Sequence, residues 1–124
     1  MLKLNTNSFT LFAALSGFLT VILGAFAAHG LKGSLSSYEL DIWKTAVLYQ
    51  FVHTIVILQV SQMKTSTLLI RSQLWFSVGI LLFSGSLYLL AVTGVTKLGM
   101  FTPLGGICFL LGWIYLIVQV VKNK

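Results

Sequence analysis

Two histidines, four tyrosines and a single cysteine supply most of the reactive chemistry of a 124-residue chain that has only two acidic residues. His53 is the most informative of them. It falls midway along an apolar run, where an ionisable group is expensive and normally faces protein or water. Tyr49 lies four residues before it and Gln50 three, so on a helix the three share one face. Such a cluster could relay protons, bind a polar headgroup or cross-link helices by hydrogen bonds. A neutral imidazole offers one donor and one acceptor, which Ser84 or Tyr88 on a neighbouring helix would satisfy. The candidate polar cluster is therefore Tyr49, Gln50, His53, Ser84 and Tyr88.

His29 closes an earlier apolar run in Ala27-Ala28-His29-Gly30. Gly30 reads as a helix C-cap, and a cation near that end is favoured by the helix dipole. His29 then belongs at a rim, roughly half a membrane from His53, and the two would not share a metal. Cys108 adds no third ligand at a spacing that a metal site uses, so no metal and no cofactor is expected. One cysteine allows no internal disulfide and leaves the redox compartment open. His53 has no acidic partner, and no serine sits in a readable triad context, so the expectation is that the chain is not an enzyme.

The elements that hold these residues follow from solvent. Hydrophobic residues make up 57% of the chain, charged residues 8%, and mean hydropathy is +0.98. Soluble domains carry roughly a quarter charged residues, so a water-soluble enzyme, a nucleic-acid module and a disordered chain are excluded together. The net charge of +6 clusters at the ends of apolar runs, which marks membrane topology and not a nucleic-acid footprint.

A hydrocarbon core about 30 Å thick needs roughly 20 helical residues to cross it. Four segments approach that length: 9–28, 43–60, 74–93 and 104–121. A spanning β-barrel would show alternating segments of about ten residues, and these runs are continuous and longer. The expected fold is all-α, a single membrane domain over residues 1–124 with four transmembrane helices in a compact bundle. Lys3, the first apolar run and Ala25-Phe26-Ala27 imitate a signal peptide, but the run exceeds an h-region of about 7 to 15 residues, and retention is expected. Lys3, Lys64, Arg71, Lys122 and Lys124 fall on one side, against Lys32, Lys44 and Lys97 on the other. This bias places both termini in the cytoplasm.

At the rims, Ser36 and Glu39 fit a capping box, so the second helix should start near Ser37. Asp41 and Lys44 are spaced to pair, and Trp43 sits where an interfacial aromatic belongs. Leu31, Leu35 and Tyr38 could dip into the headgroups. A second loop is expected over Ser61–Gln73, followed by Trp75, and Pro103 can open the fourth helix without losing a bond. Small residues provide close helix packing in lipid: Ala13, Gly17, Gly24 and Ala28 on the first helix, Ser77, Ser84 and Ala91 on the third, and Gly105, Cys108 and Gly112 on the fourth.

Five blocks carry a resemblance: Gly24-Ala25-Phe26-Ala27-Ala28-His29-Gly30-Leu31; Trp43 through His53, reading WKTAVLYQFVH; Leu82 through Leu90, reading LFSGSLYLL; Thr102-Pro103-Leu104-Gly105-Gly106; and Leu111-Gly112-Trp113. Together they run through all four spans. The sequence resembles the DUF423 family, also called UPF0382, small membrane proteins to which eukaryotic TMEM-type proteins are similar. The resemblance implies a four-helix protein of the inner or plasma membrane. It attaches no role to the motif positions His29, Tyr49, His53, Ser84, Ser86, Tyr88 and Pro103. Ala27 departs from a frequent glycine, which touches packing only.

The functional expectation is a non-enzymatic structural or accessory component of the envelope. Its partners would be membrane lipid and a further copy of itself or another membrane protein, with no nucleic acid. The alternative is a small transporter or channel for a neutral or lipid-like solute using the His53 region. A small four-helix proton-coupled exporter normally depends on an embedded carboxylate, and no span here contains Asp or Glu.

Overall fold

The computed structural model describes residues 5–124, and Lys3, counted above for topology, lies outside them. Every regular element among the described residues is helical. Helix α1 covers Thr6–Ala28 and starts at Asn5, whose side chain accepts the Ser8 N–H. Helix α2 covers Ser37–Ser61. The third column is α3, Thr67–Gly79, which passes through a π turn at Ile80–Ser84 into α4, Gly85–Thr93. A 3₁₀ turn at Thr96–Met100 leads into α5, Phe101–Lys122.

Helix ends follow local chemistry. The expected capping box forms: Ser36 Oγ accepts the Glu39 N–H at 3.1 Å and the Glu39 carboxylate accepts the Ser36 N–H at 3.4 Å. Ser66 caps α3 by accepting the Leu69 N–H, which shortens the second loop to residues 62–66 and draws Arg71 into the helix. Gly30 is not the αL cap that its position suggested. His29 is the cap residue of α1, and Gly94, at φ 69°, is the one described residue with positive φ. Asp41 and Lys44 form no ion pair; Asp41 instead accepts Thr45 Oγ1 through its carbonyl. Pro103 sits in the first turn of α5, where its missing N–H costs nothing.

Three stretches are long and apolar enough to cross a membrane: Asn7–Ala28, Thr67–Thr93 and Thr96–Lys122. Helix α2 is the same kind of length, but Gln50, His53, Thr54 and Gln59 dilute its apolarity. The first three of these point inward and are buried. Outward, the same helix shows Leu48, Phe51, Val52 and Ile55.

Helices α1 and α2 pack closely along their lengths, as do α3 and α5, while α2 also rests on the π turn and α4. One apolar cluster joins Phe9, Ala13, Ile57, Phe76, Ile80 and Phe109, and a second joins Ala27, Trp43 and Ala91. The small residues let backbones approach. A Cβ on Gly105 would overlap Phe83 backbone atoms, and one on Gly112 would reach within 2.6 Å of the Phe76 ring. Ala28 is the exception on the α1 stripe: it is exposed.

Candidate functional site

Four of the five candidate residues divide between two polar systems, and Ser84 stands apart from both. In the first, Gln50 is the hub. Its amide Nε2 donates to Ser16 Oγ at 3.1 Å and to the Ser16 carbonyl at 3.2 Å on α1, while its Oε1 accepts Tyr88 OH from α4 at 2.6 Å. Ser16 and Thr54 hydroxyls meet at 2.8 Å, and Thr20 Oγ1 returns to the Ser16 carbonyl. Three helices are thereby tied through one amide. Periodicity did find Gln50, but its partner Ser16 is invisible by spacing.

His53 belongs to the second system, and its expected partners are corrected. Neither Ser84 nor Tyr88 reaches it. Its Nδ1 meets the Tyr49 carbonyl at 2.8 Å, one turn back on α2, and Trp113 Nε1 of α5 donates to Nε2 at 3.2 Å. A carbonyl only accepts and an indole only donates, so the ring is neutral with its proton on Nδ1. Phe109 stacks on it at 3.7 Å between centroids and 7° between planes. Both imidazole nitrogens are occupied and the ring is covered: His53 is 5% exposed.

Ser84 is almost fully buried, and its hydroxyl donates to the Ala46 carbonyl at 2.7 Å, a side-chain-to-backbone rivet from the π turn to α2. Tyr49 bridges outward: its ring lies 4.4 Å from Phe83 and 6.1 Å from Phe109. Helices α2 and α5 are linked here by rings, and a groove of about 470 Å³ runs beside them from Tyr49 and His53 past Phe83 and Trp113 to Pro103.

The remaining buried polar groups act as further rivets. Ser72 Oγ donates to the Gly112 carbonyl, Gln73 Nε2 to the Ile57 carbonyl and to Ser61 Oγ, and Ser66 Oγ to Gln119 Oε1. Ser86 and Thr102 hydroxyls meet at 2.6 Å. Among the described residues, no buried side-chain nitrogen or oxygen lacks a partner, and no three His, Cys, Asp or Glu side chains gather as a metal site would need.

Two tryptophans depart from their expected places. Trp43 is not a surface anchor; it is buried and its indole N–H donates to the Leu23 carbonyl of α1 at 2.8 Å. Trp113, which sequence reading passed over as a site residue, completes His53. At the rim, Leu31 and Leu35 fold back onto the Ala27–Trp43–Ala91 cluster, while Tyr38 stays exposed. His29 lines a shallow apolar groove with Phe26 and Ile22.

Residues 23–106 match the model of a family described as "Protein of unknown function (DUF423)". The chain belongs to the DUF423 family. Curated relatives agree over nearly the whole length. The UPF0382 membrane protein YwdK of Bacillus subtilis is 41% identical, covering 92% of this chain and 96% of its own. A UPF0382 membrane protein of Haemophilus influenzae is 43% identical, covering 95% and 97%. The UPF0382 inner membrane protein YgdD of Escherichia coli is 39% identical, covering 96% and 94%. No solved structure matches. This DUF423 chain is a membrane protein, and its blocks around His29, His53, Ser84 and Pro103 lie within the matched region.

Proposed function

We propose that this DUF423 protein is a non-enzymatic structural or accessory component of the cell membrane, with α2 as a fourth span, the four columns forming one bundle, and both termini cytoplasmic. The observation that carries this reading is the use made of its polar groups. Gln50, Ser72, Gln73, Ser84 and His53 each spend their hydrogen-bonding capacity on another helix or on their own backbone. A permeation path needs polar groups turned towards water; here they are turned towards each other. The outward apolar face of α2 supports its placement in lipid, because a helix with inward polar and outward apolar groups suits hydrocarbon outside and protein inside. The printed name of the Escherichia coli relative supports an inner-membrane location. Partners on this reading are lipid and another membrane protein or a second copy, and no nucleic acid.

The test is reconstitution. Proteoliposomes should show proton and small-solute flux no greater than empty vesicles; flux that His53→Ala lowers would overturn the reading. For topology, single cysteines introduced at Gly33 and Lys124 should be labelled by membrane-impermeant maleimide from opposite sides.

A second reading, a carrier for a neutral or lipid-like solute, is favoured by the groove beside Tyr49 and His53. It predicts that the same vesicles accelerate exchange of a lipid-like solute, and that filling the groove by Gly106→Leu stops it.

A further inference from the structure

Two of the three lysines on the rim opposite the termini share one cleft. Lys32, in the loop after α1, and Lys44, in α2, line one cleft of about 340 Å³ between the two helices. The walls below them are Gly24 and Ala28 of α1 and Leu40 and Val47 of α2. The cleft exists because α1 carries no bulk there: Gly24 has no side chain, and Ala28 is the one member of the small-residue stripe that no helix covers. Elsewhere on that stripe Ala13 is fully buried.

The position of Lys32 is fixed by its neighbours. Leu31 and Leu35 are packed on the Ala27–Trp43–Ala91 cluster, and the Leu31 N–H bonds the Phe26 carbonyl while Leu35 N–H bonds that of Leu31. The loop is thus built, not trailing. Two like charges beside one cleft repel unless an anion lies between them, and no protein anion does. The Glu39 carboxylate is held in the capping box, and Asp41 does not line the cleft. By contrast Arg71 at the other rim already lies over the Tyr115 ring at 5.9 Å.

We infer that the cleft between α1 and α2 binds one anionic phospholipid, its phosphate between Lys32 and Lys44 and an acyl chain along Gly24, Ala28 and Val47. Two cations above an apolar channel match the charge and the tail of such a lipid together, whereas a free phosphate would leave the channel unused. The inference rests on α2 being a span, which the maleimide labelling tests separately.

The experiment is native mass spectrometry of protein released from nanodiscs of phosphatidylcholine with a minor share of phosphatidylglycerol. The wild-type chain should retain one phosphatidylglycerol in preference to phosphatidylcholine. A juxtamembrane lysine contributes enough that each of Lys32→Gln and Lys44→Gln should lower retention about fivefold. The pair Lys64→Gln and Lys97→Gln removes twice the charge of either single variant, all of it outside the cleft, and should leave retention unchanged. Ala28→Leu keeps all charge and fills the exposed channel, and should also lower retention. Equal loss in the Lys64/Lys97 pair, or no loss in Ala28→Leu, would overturn the inference in favour of general surface charge. Displacement of the lipid by soluble glycerol phosphate would overturn it in favour of a bare anion site. Unchanged melting of the variants in detergent keeps folding apart from binding.

Discussion

Trp113 on α5 donates its indole N–H to His53 on α2, 60 residues away in sequence, across 3.2 Å. The bond defines the state of the most conspicuous ionisable side chain in the protein, since an imidazole nitrogen that accepts from an indole is not protonated. Solid-state nitrogen spectra of the reconstituted protein should therefore show a neutral His53 with the proton on Nδ1. In Trp113→Phe the stacking partner Phe109 remains but Nε2 loses its donor. Bonds between membrane helices average about 0.6 kcal/mol, so unfolding should become easier by about that amount, with the tautomer signal broadened. An unchanged spectrum would show that the indole does not set the tautomer.

The Gln50 hub gives a sharper energetic prediction. Gln50→Leu strands the Tyr88 hydroxyl, while Ser16 Oγ keeps Thr54, and a stranded buried polar group costs about 1–3 kcal/mol. Tyr88→Phe alone should cost less, because Gln50 keeps its bonds to Ser16. A double-mutant cycle read by reversible unfolding in bicelles should give a positive Gln50–Tyr88 coupling of about 0.6 kcal/mol or more. Strict additivity would remove Gln50 from its place as hub.

Adjacent glycines in α5 should behave differently. A methyl group at Gly105 would run into the Phe83 backbone, whereas one at Gly106 meets nothing within 4 Å. Gly105→Ala should destabilise by about 1–3 kcal/mol, the usual cost of overpacking. Gly106→Ala should be neutral or slightly stabilising, as alanine is the better helix former. Thermal unfolding of the two variants side by side decides it.

Ser36→Ala removes one half of the capping box and should lower stability by about 1 kcal/mol. Ser36→Asp, which keeps an acceptor, should recover most of that. Equal melting of all three proteins would mean that the start of α2 is held by Trp43 packing alone.

The pattern of what sequence reading captured follows from the range of each force. Apolar runs and a cap are local, so the helices and the Ser36 start of α2 were legible. Partners were not. Spacing placed Tyr49, Gln50 and His53 on one helix, yet gave no way to choose Trp113 over Ser84 as the donor to His53, because that choice depends on how α5 crosses. Trp43 misled for a related reason. An indole at a span end suits a headgroup layer equally well as it suits a carbonyl on the neighbouring helix, and the Leu23 carbonyl decides the matter only in three dimensions. The shortened second loop is a plainer miss: Ser66 is a good cap, but the polar stretch around it hides the helix that follows.

The π turn at Ile80–Ser84 was likewise hidden, and it has a bearing on which lengths the third column tolerates. There the Gly85 N–H reaches back five residues to the Ile80 carbonyl, so the column holds one residue more than a regular helix of equal rise. A surplus residue advances the chain by about 100° around the axis. It acts as a phase shift: Gln73 and Ser77 are aimed by the lower half, and Ser84, Ser86 and Tyr88 by a second, rotated half. Forcing an ordinary helix through 80–84 with every residue kept would swing the upper half by that angle, parting Ser84 from Ala46 and Tyr88 from Gln50 at one stroke. Excising the one surplus residue would instead leave both halves in step, so this segment is the place where the third column tolerates a change of length.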